Sequence, residues 1–215
     1  MSEEHYLKPL FEPESIAVFG ASDRENSVGQ VLFRNLLQAG FGGRLFPINP
    51  KHEQVQGKET FKSLHDVPGR VDLAIICTPA MSVPGIIEQC GERGVRFALI
   101  VSSGFAERGH AGAALERKVL EIARSYSVRI LGPNSLGIMR PPSKLNATFT
   151  QERAHEGKMA LISQSGAICS AILDWALPNK VGFSSVVSLG RSSDIDFGEI
   201  LDYLVHDPRT YYILL

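Results

Sequence analysis

The sequence has little of what secreted or nucleic-acid-binding proteins require. Of its 215 residues only three are cysteines, and the formal net charge is −1. The cysteines, Cys77, Cys90 and Cys169, are widely spaced and lack a CxxC pattern, which argues against a disulfide framework and a zinc site. They are predicted to be buried thiols in a reducing cytoplasm. A near-neutral charge gives no support to binding of nucleic acid or anionic lipid.

The chain also lacks a targeting or membrane-spanning segment. Its first residues, MSEEHYLKPLFEP, are polar and acidic and do not resemble a secretory signal. No apolar run approaches the roughly 20 residues that a membrane span needs. The six histidines lie in polar contexts without HExxH or HxxxH spacing, so a metal site has little support. These absences predict a cytoplasmic protein with no metal, no nucleic-acid partner and no membrane partner.

What the sequence does contain is an alternation of short apolar runs with segments of helical periodicity. Runs rich in Val, Ile and Leu that are each followed by a helix predict a parallel sheet covered on both faces. We therefore expect an α/β fold whose first domain, residues 1–140, is a Rossmann-type doubly wound sheet. Its predicted strands are 15–20, 44–48, 71–77, 97–102 and 128–131, and its predicted helices are 28–39, 83–93 and 111–126.

The pattern changes after Gly137. Residues 139–150 are proline-rich and non-periodic, and we predict a linker at 141–157. Residues 158–215 predict the start of a second, flavodoxin-like α/β domain with strands 158–163, 183–189 and 211–215 and helices 167–177 and 197–206. Trp175, at helical spacing with Ile172, is expected in its core. The chain stops within an apolar run, so we expect it to be a fragment of a longer polypeptide.

The first candidate site is the loop between the first strand and the first helix. Gly20 ends the strand, Ser22 offers a hydroxyl, and the helix begins at Ser27 or Val28, with Gly29 allowing close packing. Glycine lets the backbone approach a phosphate, and the free N–H groups of a helix start point at the anion. The loop therefore predicts a site for a phosphate-bearing nucleotide. Because it is longer than GxGxxG, it leaves open which nucleotide binds.

The end of the second strand narrows the choice of nucleotide. An NAD site needs an acidic residue there to accept hydrogen bonds from the ribose hydroxyls. Here Asn49 and Lys51 stand in its place. A lysine suits an additional phosphate, such as that of coenzyme A (CoA) or, as the alternative, NADP.

Three later loops are expected at the same edge of the sheet, because ligands of open α/β sheets bind at the carboxyl ends of strands. They offer polar or small groups that could equally serve only as helix caps or turns: Thr78 and Pro79, Ser103 and Gly104, and Asn134.

The second domain offers another anion site. Ser163, Gln164, Ser165 and Gly166 open a predicted helix, whose N-terminus favours negative charge. Ser165 could also be only a helix cap. An esterase elbow is the weaker interpretation, because Ser163 stands where GxSxG requires glycine.

Several segments in order resemble the NDP-forming acyl-CoA synthetase family, which includes the succinyl-CoA synthetase α-subunit. They cover nearly the whole chain: FEPESIAVFGAS, INPKHEQVQG, DLAIICTPA, SSGFAE, LGPNSLGI, LISQSGA and SLGRSSDIDFGEILDYL. The stretch 145–149 and the segments ILDWA and DIDFGEILDYL are similar to the bifunctional subgroup, in which a synthetase-like region is fused to a GNAT acetyltransferase that modifies protein lysines.

The resemblance implies a first domain that binds CoA or acetyl-CoA. The residues that match the family's loops are Gly20, Ala21, Ser22, Lys51, Thr78, Pro79, Ser103 and Gly104, with Asn134 near the thioester end. Residues 163–166 match the helix start that holds the phosphate of a phosphohistidine. In the family, phosphate passes between ATP, that histidine and an acyl phosphate before the thioester forms.

The sequence also departs from the family. The phosphorylated histidine, the ATP-grasp domain with its ATP and Mg²⁺, and any GNAT domain would lie in other parts of a parent protein, so no catalytic residue is assigned here. Arg191 replaces the asparagine of the family's SxGN element. We therefore expect a CoA-binding part of an acyl-CoA synthetase or acetyltransferase, which could be a homo-oligomer. A non-catalytic CoA-sensing module and an NADP-dependent oxidoreductase remain the alternatives.

Overall fold

The computed structural model describes residues 5–215, which form two α/β domains in close contact. The strands of this part are β1 (Ser15–Phe19), β2 (Arg44–Ile48), β3 (Gln54–Val55), β4 (Lys58–Glu59), β5 (Leu73–Ile76), β6 (Phe97–Ile100), β7 (Arg129–Leu131), β8 (Gly137–Arg140), β9 (Leu145–Thr148), β10 (His155–Ser163), β11 (Gly182–Ser188) and β12 (Tyr212–Leu214). The helices are α1 (Lys8–Phe11), α2 (Val28–Gln38), α3 (Val83–Glu92), α4 (His110–Ser125), α5 (Gly166–Ala176) and α6 (Phe197–Val205).

The first domain is built on a fully parallel five-stranded sheet in the order β2-β1-β5-β6-β7. All five residues of β1 and all four of β5 and of β6 are buried, as continuous apolar runs in a sheet covered on both faces should be. The strand order reverses between β1 and β5. In open α/β sheets this reversal opens a crevice at the carboxyl ends of the strands.

The second domain has a mixed sheet in the order β12-β10-β11-β8-β9. Strands β10, β11 and β12 are parallel, whereas β8 is antiparallel to both β11 and β9. The predicted elements of both domains are confirmed, with ends that differ by at most three residues.

The segment predicted as a linker, residues 141–157, has regular structure of its own. This segment contains a short helical turn (Pro141–Ser143), strand β9 and the start of β10. The two prolines form the turn between β8 and its partner β9, and β8 joins the rest of the sheet only through β11, which comes more than 40 residues later. A short strand that depends on such a distant partner lacks the local hydrophobic periodicity from which a strand is predicted.

A continuous apolar core lies between the two sheets. It unites side chains of β1, α2 and β6 with side chains of β10, β11 and α6, among them Ile16, Leu32, Ile162 and Ile200. A second cluster lies between the first sheet and helices α3 and α4. A third lies between the second sheet and α5. The domains thus stack as layers around a shared interior. None of the helices within residues 5–215 is long and apolar enough to cross a membrane.

Of four side chains predicted to be buried, two are buried, one is partly buried and one is exposed. Cys90 and Cys169 are buried, whereas Cys77 is only partly so. The prediction for Trp175 is wrong, because α5 turns Cys169 and Leu173 toward the sheet and leaves Trp175 60% exposed.

The buried side chain of Arg140, on β8, connects the N-terminal segment with later parts of the second domain. The guanidinium of Arg140 donates to both oxygens of Asp207 at 3.0 Å, to Glu12 at 3.0 Å and to Ser185 at 2.9 Å. Its side chain is 1% exposed, and its Nε has no hydrogen-bond partner among residues 5–215. Burial alone would raise the pKa of Asp207, but the hydrogen bonds from Arg140 and Thr210 outweigh it and hold that pKa below its usual value.

We predict that Asp207→Asn destabilises the fold by about 3–5 kcal/mol, because it leaves the Arg140 charge buried without its main partner. Urea unfolding at pH 7 measures this loss, and Asp174→Asn, an exposed carboxylate on α5, is the control. Because the folded-state pKa of Asp207 is depressed, its stabilisation is present above about pH 4 and is lost as the pH falls further. The free energies of unfolding of the unmodified protein and of Asp207→Asn should therefore converge in acid. A difference that stays constant with pH would contradict this assignment.

Candidate functional site

The loop after β1 is packed tightly against its neighbours. Gly20 has φ +82°, and a Cβ on it would lie 3.0 Å from the methyl group of Thr78 on the β5 loop. A Cβ on Gly29 would lie 1.9 Å from the carbonyl oxygen of Gly20. Ser27 caps α2 by accepting a hydrogen bond from the N–H of Gln30. The start of α2 is thus held directly over the end of β1, with its first N–H groups facing the crevice.

Polar side chains outside the glycine loop hold it in place. The amide of Asn49 donates to the carbonyl of Ala21 at 2.8 Å. Gln56, at the tip of the β3–β4 hairpin, donates to the carbonyls of Ser22 and Gln30 at 3.1 and 2.9 Å. The role of Gln56 was not found from the sequence, and its glycine neighbour, Gln56-Gly57, was the only local sign of a hairpin there. Lys51 is exposed beside Asn49.

The loops after β5 and β6 contact each other. Ser102 donates to the carbonyls of Ile76 and Thr78, and Thr78 accepts a hydrogen bond from Ser82 at 2.8 Å. A Cβ on Gly104, which has φ +115°, would lie 3.0 Å from the Cβ of Ala80. The loops that carry Thr78, Pro79, Ser103 and Gly104 therefore lie against each other.

Two glutamates that the sequence did not single out shape the β6 loop. Glu107 accepts from the N–H groups of Gly104 and Phe105, and these bonds hold its pKa below the usual value against the effect of burial. Glu116, on α4, accepts from the N–H of Ala106 at 3.0 Å. It also pairs with Arg191 of the second domain at 3.1 Å. Arg191, the departure from the family pattern, is thus engaged in a contact between the domains.

Asn134 lies where the two domains meet. It has φ +56°, and its N–H donates to the carbonyl of Ser102 at 3.0 Å. The carbonyls of Pro133 and Gly132 accept from the N–H groups of Arg191 and Ser193 at 3.0 and 3.2 Å. The loop after β7 therefore touches both the β6 loop and the second domain.

The second candidate site faces Asn134 across a cavity of about 430 Å³. Ser165 caps α5 by accepting from the N–H of Ile168, and Gln164, Ser165 and Gly166 line the cavity together with Asn134. Ser163 instead accepts a hydrogen bond from the N–H of Ser165 and so shapes the loop from behind. The helix start presents N–H groups to the cavity, which suits an anion.

We predict that Gly29→Ala destabilises the protein by about 1–3 kcal/mol, because the added methyl group collides with the backbone at Gly20. Thermal unfolding measures the loss. The matched control is Gly85→Ala on α3, where a Cβ would have no heavy atom within 4 Å and alanine favours the helix. Equal effects of the two substitutions would show that α2 can move away from β1.

Two family models match successive parts of the chain. The family model described as CoA binding domain matches residues 14–141, and the Succinyl-CoA ligase like flavodoxin domain matches residues 156–215. The resemblance to the NDP-forming acyl-CoA synthetases and the two-domain α/β fold are thereby confirmed.

Relatives with curated names match almost the whole chain. The α subunit of acetate–CoA ligase (ADP-forming) I of Pyrococcus furiosus is 41% identical over 97% of this chain, which spans 46% of that relative. Acetate–CoA ligase (ADP-forming) of Methanocaldococcus jannaschii is 42% identical over 99% of this chain, which spans 30% of it.

A solved structure shows the same arrangement. The dinucleotide-forming acetyl-coenzyme A synthetase 1 of Ca. Korarchaeum cryptofilum, in complex with phosphate and ADP, superposes with a TM-score of 0.93 at 40% identity. The match covers 98% of this chain and 45% of that one. The chain consists of two domains that it shares with ADP-forming acyl-CoA synthetases, and it spans less than half of their length. It therefore belongs to the CoA binding domain family.

Proposed function

We propose that the chain binds CoA or acetyl-CoA across the carboxyl edge of the first sheet and presents the thiol end to the cavity at α5. The observation that carries this proposal is the row of touching loops after β1, β5, β6 and β7. From Lys51, after the edge strand β2, to Asn134, after the opposite edge strand β7, the row crosses four strand spacings, about 19 Å. An elongated ligand with phosphates at one end suits such a row.

Each group of residues would contact a different part of the ligand. The N–H groups from Gly20 to Val28, with Ala21, Ser22 and Ser27 between them, would receive the diphosphate, since free N–H groups favour anions. Lys51 would pair with the phosphate on the ribose. Thr78, Pro79, Ser103 and Gly104 would contact the uncharged pantetheine arm, and Asn134 would lie beside the thiol.

The second domain would handle phosphate. With an anion at Ser165 and Gly166, an acyl phosphate in the cavity would lie close to the thiol near Asn134. Attack of the thiolate on the acyl carbon would form the thioester and release phosphate. In this proposal a longer parent protein supplies the phosphorylated histidine and the ATP-grasp domain with ATP and Mg²⁺, and the parent acts in the cytoplasm as an acid–thiol ligase.

A regulatory role is the second candidate, and Arg191 favours it. The side chain that replaces the family's asparagine is held by Glu116 instead of being free for the cavity. In a parent with a GNAT acetyltransferase domain, the same CoA site would sense acyl-CoA rather than produce it. Residues 5–215 alone are compatible with both roles, and the sequence of the parent beyond this region would separate them.

Calorimetric titration with CoA, acetyl-CoA, NADP and ATP tests the ligand. We expect CoA and acetyl-CoA to bind, and Lys51→Ala to weaken them by about 1–3 kcal/mol through loss of a charge-assisted contact. Lys118→Ala, an exposed lysine on α4, is the control and should bind as the unmodified chain does. Tighter binding of NADP than of CoA would overturn the proposal in favour of an oxidoreductase.

A further inference from the structure

One wall of the cavity at α5 is apolar and is not explained by binding of phosphate or CoA. Leu136, Phe149 and Ala167 form this wall, and the helix start at Ser165 lines the same cavity. The cavity volume of about 430 Å³ lies toward the lower end of the range for small-molecule sites, roughly 300–1,000 Å³. A ligand that fits these surroundings has an anionic or polarised head at the helix and a short apolar tail against the wall.

The hydroxyl groups around this wall are already paired. Ser135 donates to the carbonyl of Ser188 and accepts from the N–H of Gly137. Ser170 donates to the hydroxyl of Thr150 at 3.3 Å. A polar tail would therefore have to compete with existing hydrogen bonds, which disfavours it relative to an apolar one.

Phe149 stands on an immobilised piece of backbone. Asn35, on α2, is 8% exposed, and its side-chain amide donates to the carbonyls on both sides of Phe149, those of Thr148 at 2.9 Å and Thr150 at 2.7 Å. The N–H of Phe149 donates to the carbonyl of Leu136. Movement of the backbone that carries the ring would break buried hydrogen bonds, so this backbone keeps Phe149 at the cavity, where a ligand tail that is too long meets it.

We propose that Phe149 determines acyl-chain specificity by limiting the cavity to acyl groups of short carboxylic acids. This inference rests on the proposed function, because it takes the thiol end of CoA to lie beside Asn134. It goes further in naming the class of acyl group and the side chain that selects it.

Titration of the chain with CoA, acetyl-CoA and hexanoyl-CoA tests the inference. The unmodified chain should bind acetyl-CoA more tightly than hexanoyl-CoA. Phe149→Ala should shift the ratio of their dissociation constants toward hexanoyl-CoA by about tenfold or more, as expected when a hydrophobic pocket gains room for methylene groups. Free CoA has no acyl group, so its dissociation constant should stay within about twofold.

Two further variants make the outcome decisive. Phe41→Ala removes a partly buried ring that packs on the shared core away from this cavity, and it should leave the ratio unchanged. Phe149→Leu keeps an apolar side chain and should shift the ratio in the same direction by less. If Phe149→Ala shows no cooperative thermal unfolding, the ratio measured for Phe149→Leu tests the inference in its place. An unchanged ratio with intact CoA binding would overturn the inference alone, whereas failure of the unmodified chain to bind CoA would overturn the proposed function and the inference with it.

Discussion

The position of the loop after β7 is the constraint on which both candidate sites depend. Its backbone is hydrogen-bonded to the first domain at Ser102 and to the second domain at Arg191 and Ser193. A Cβ on Gly190 would lie 2.4 Å from the carbonyl oxygen of Pro133, so the two loops touch along their backbones. Backbone contacts of this kind leave little room for relative sliding. The thiol end of the proposed ligand, beside Asn134, would thereby be held at a set distance from the helix start in the second domain.

The two sites use different physical means. The proposed nucleotide site is built mainly from backbone N–H groups and small residues, which would recognise phosphate by close approach and orientation. The cavity at α5 combines one helix start with the apolar wall at Phe149. Asn35 connects the two, because it lies on the helix whose start forms part of the proposed nucleotide site and it holds the backbone of the wall. The shared core between the sheets makes this connection possible, since it brings α2 against β9.

The sequence was sufficient for features that are local. Continuous apolar strands, the glycine loop and the capping serines at 27 and 165 can be recognised from neighbouring residues alone, and they lie in the structure where they were predicted. The roles of β8, Gln56 and Phe149 could not be recognised, because each depends on a partner distant in the chain. Trp175 shows the opposite error, since helical spacing identifies an apolar stripe without telling which residues of that stripe reach the sheet.

The charged contacts between the domains complete this account. An apolar interface tolerates several registers at similar free energy, because apolar contact has little directionality. Arg140 and Glu116 are different, since each is nearly buried and is satisfied only when partners from distant segments arrive in one arrangement. Any shift would leave a desolvated charge without its partners, at a cost of several kcal/mol. We infer that these ion pairs select one orientation among those that the apolar core allows. A cavity shared by two domains needs this selection more than it needs additional stability, because a displacement of about 1 Å is enough to spoil a site of this kind.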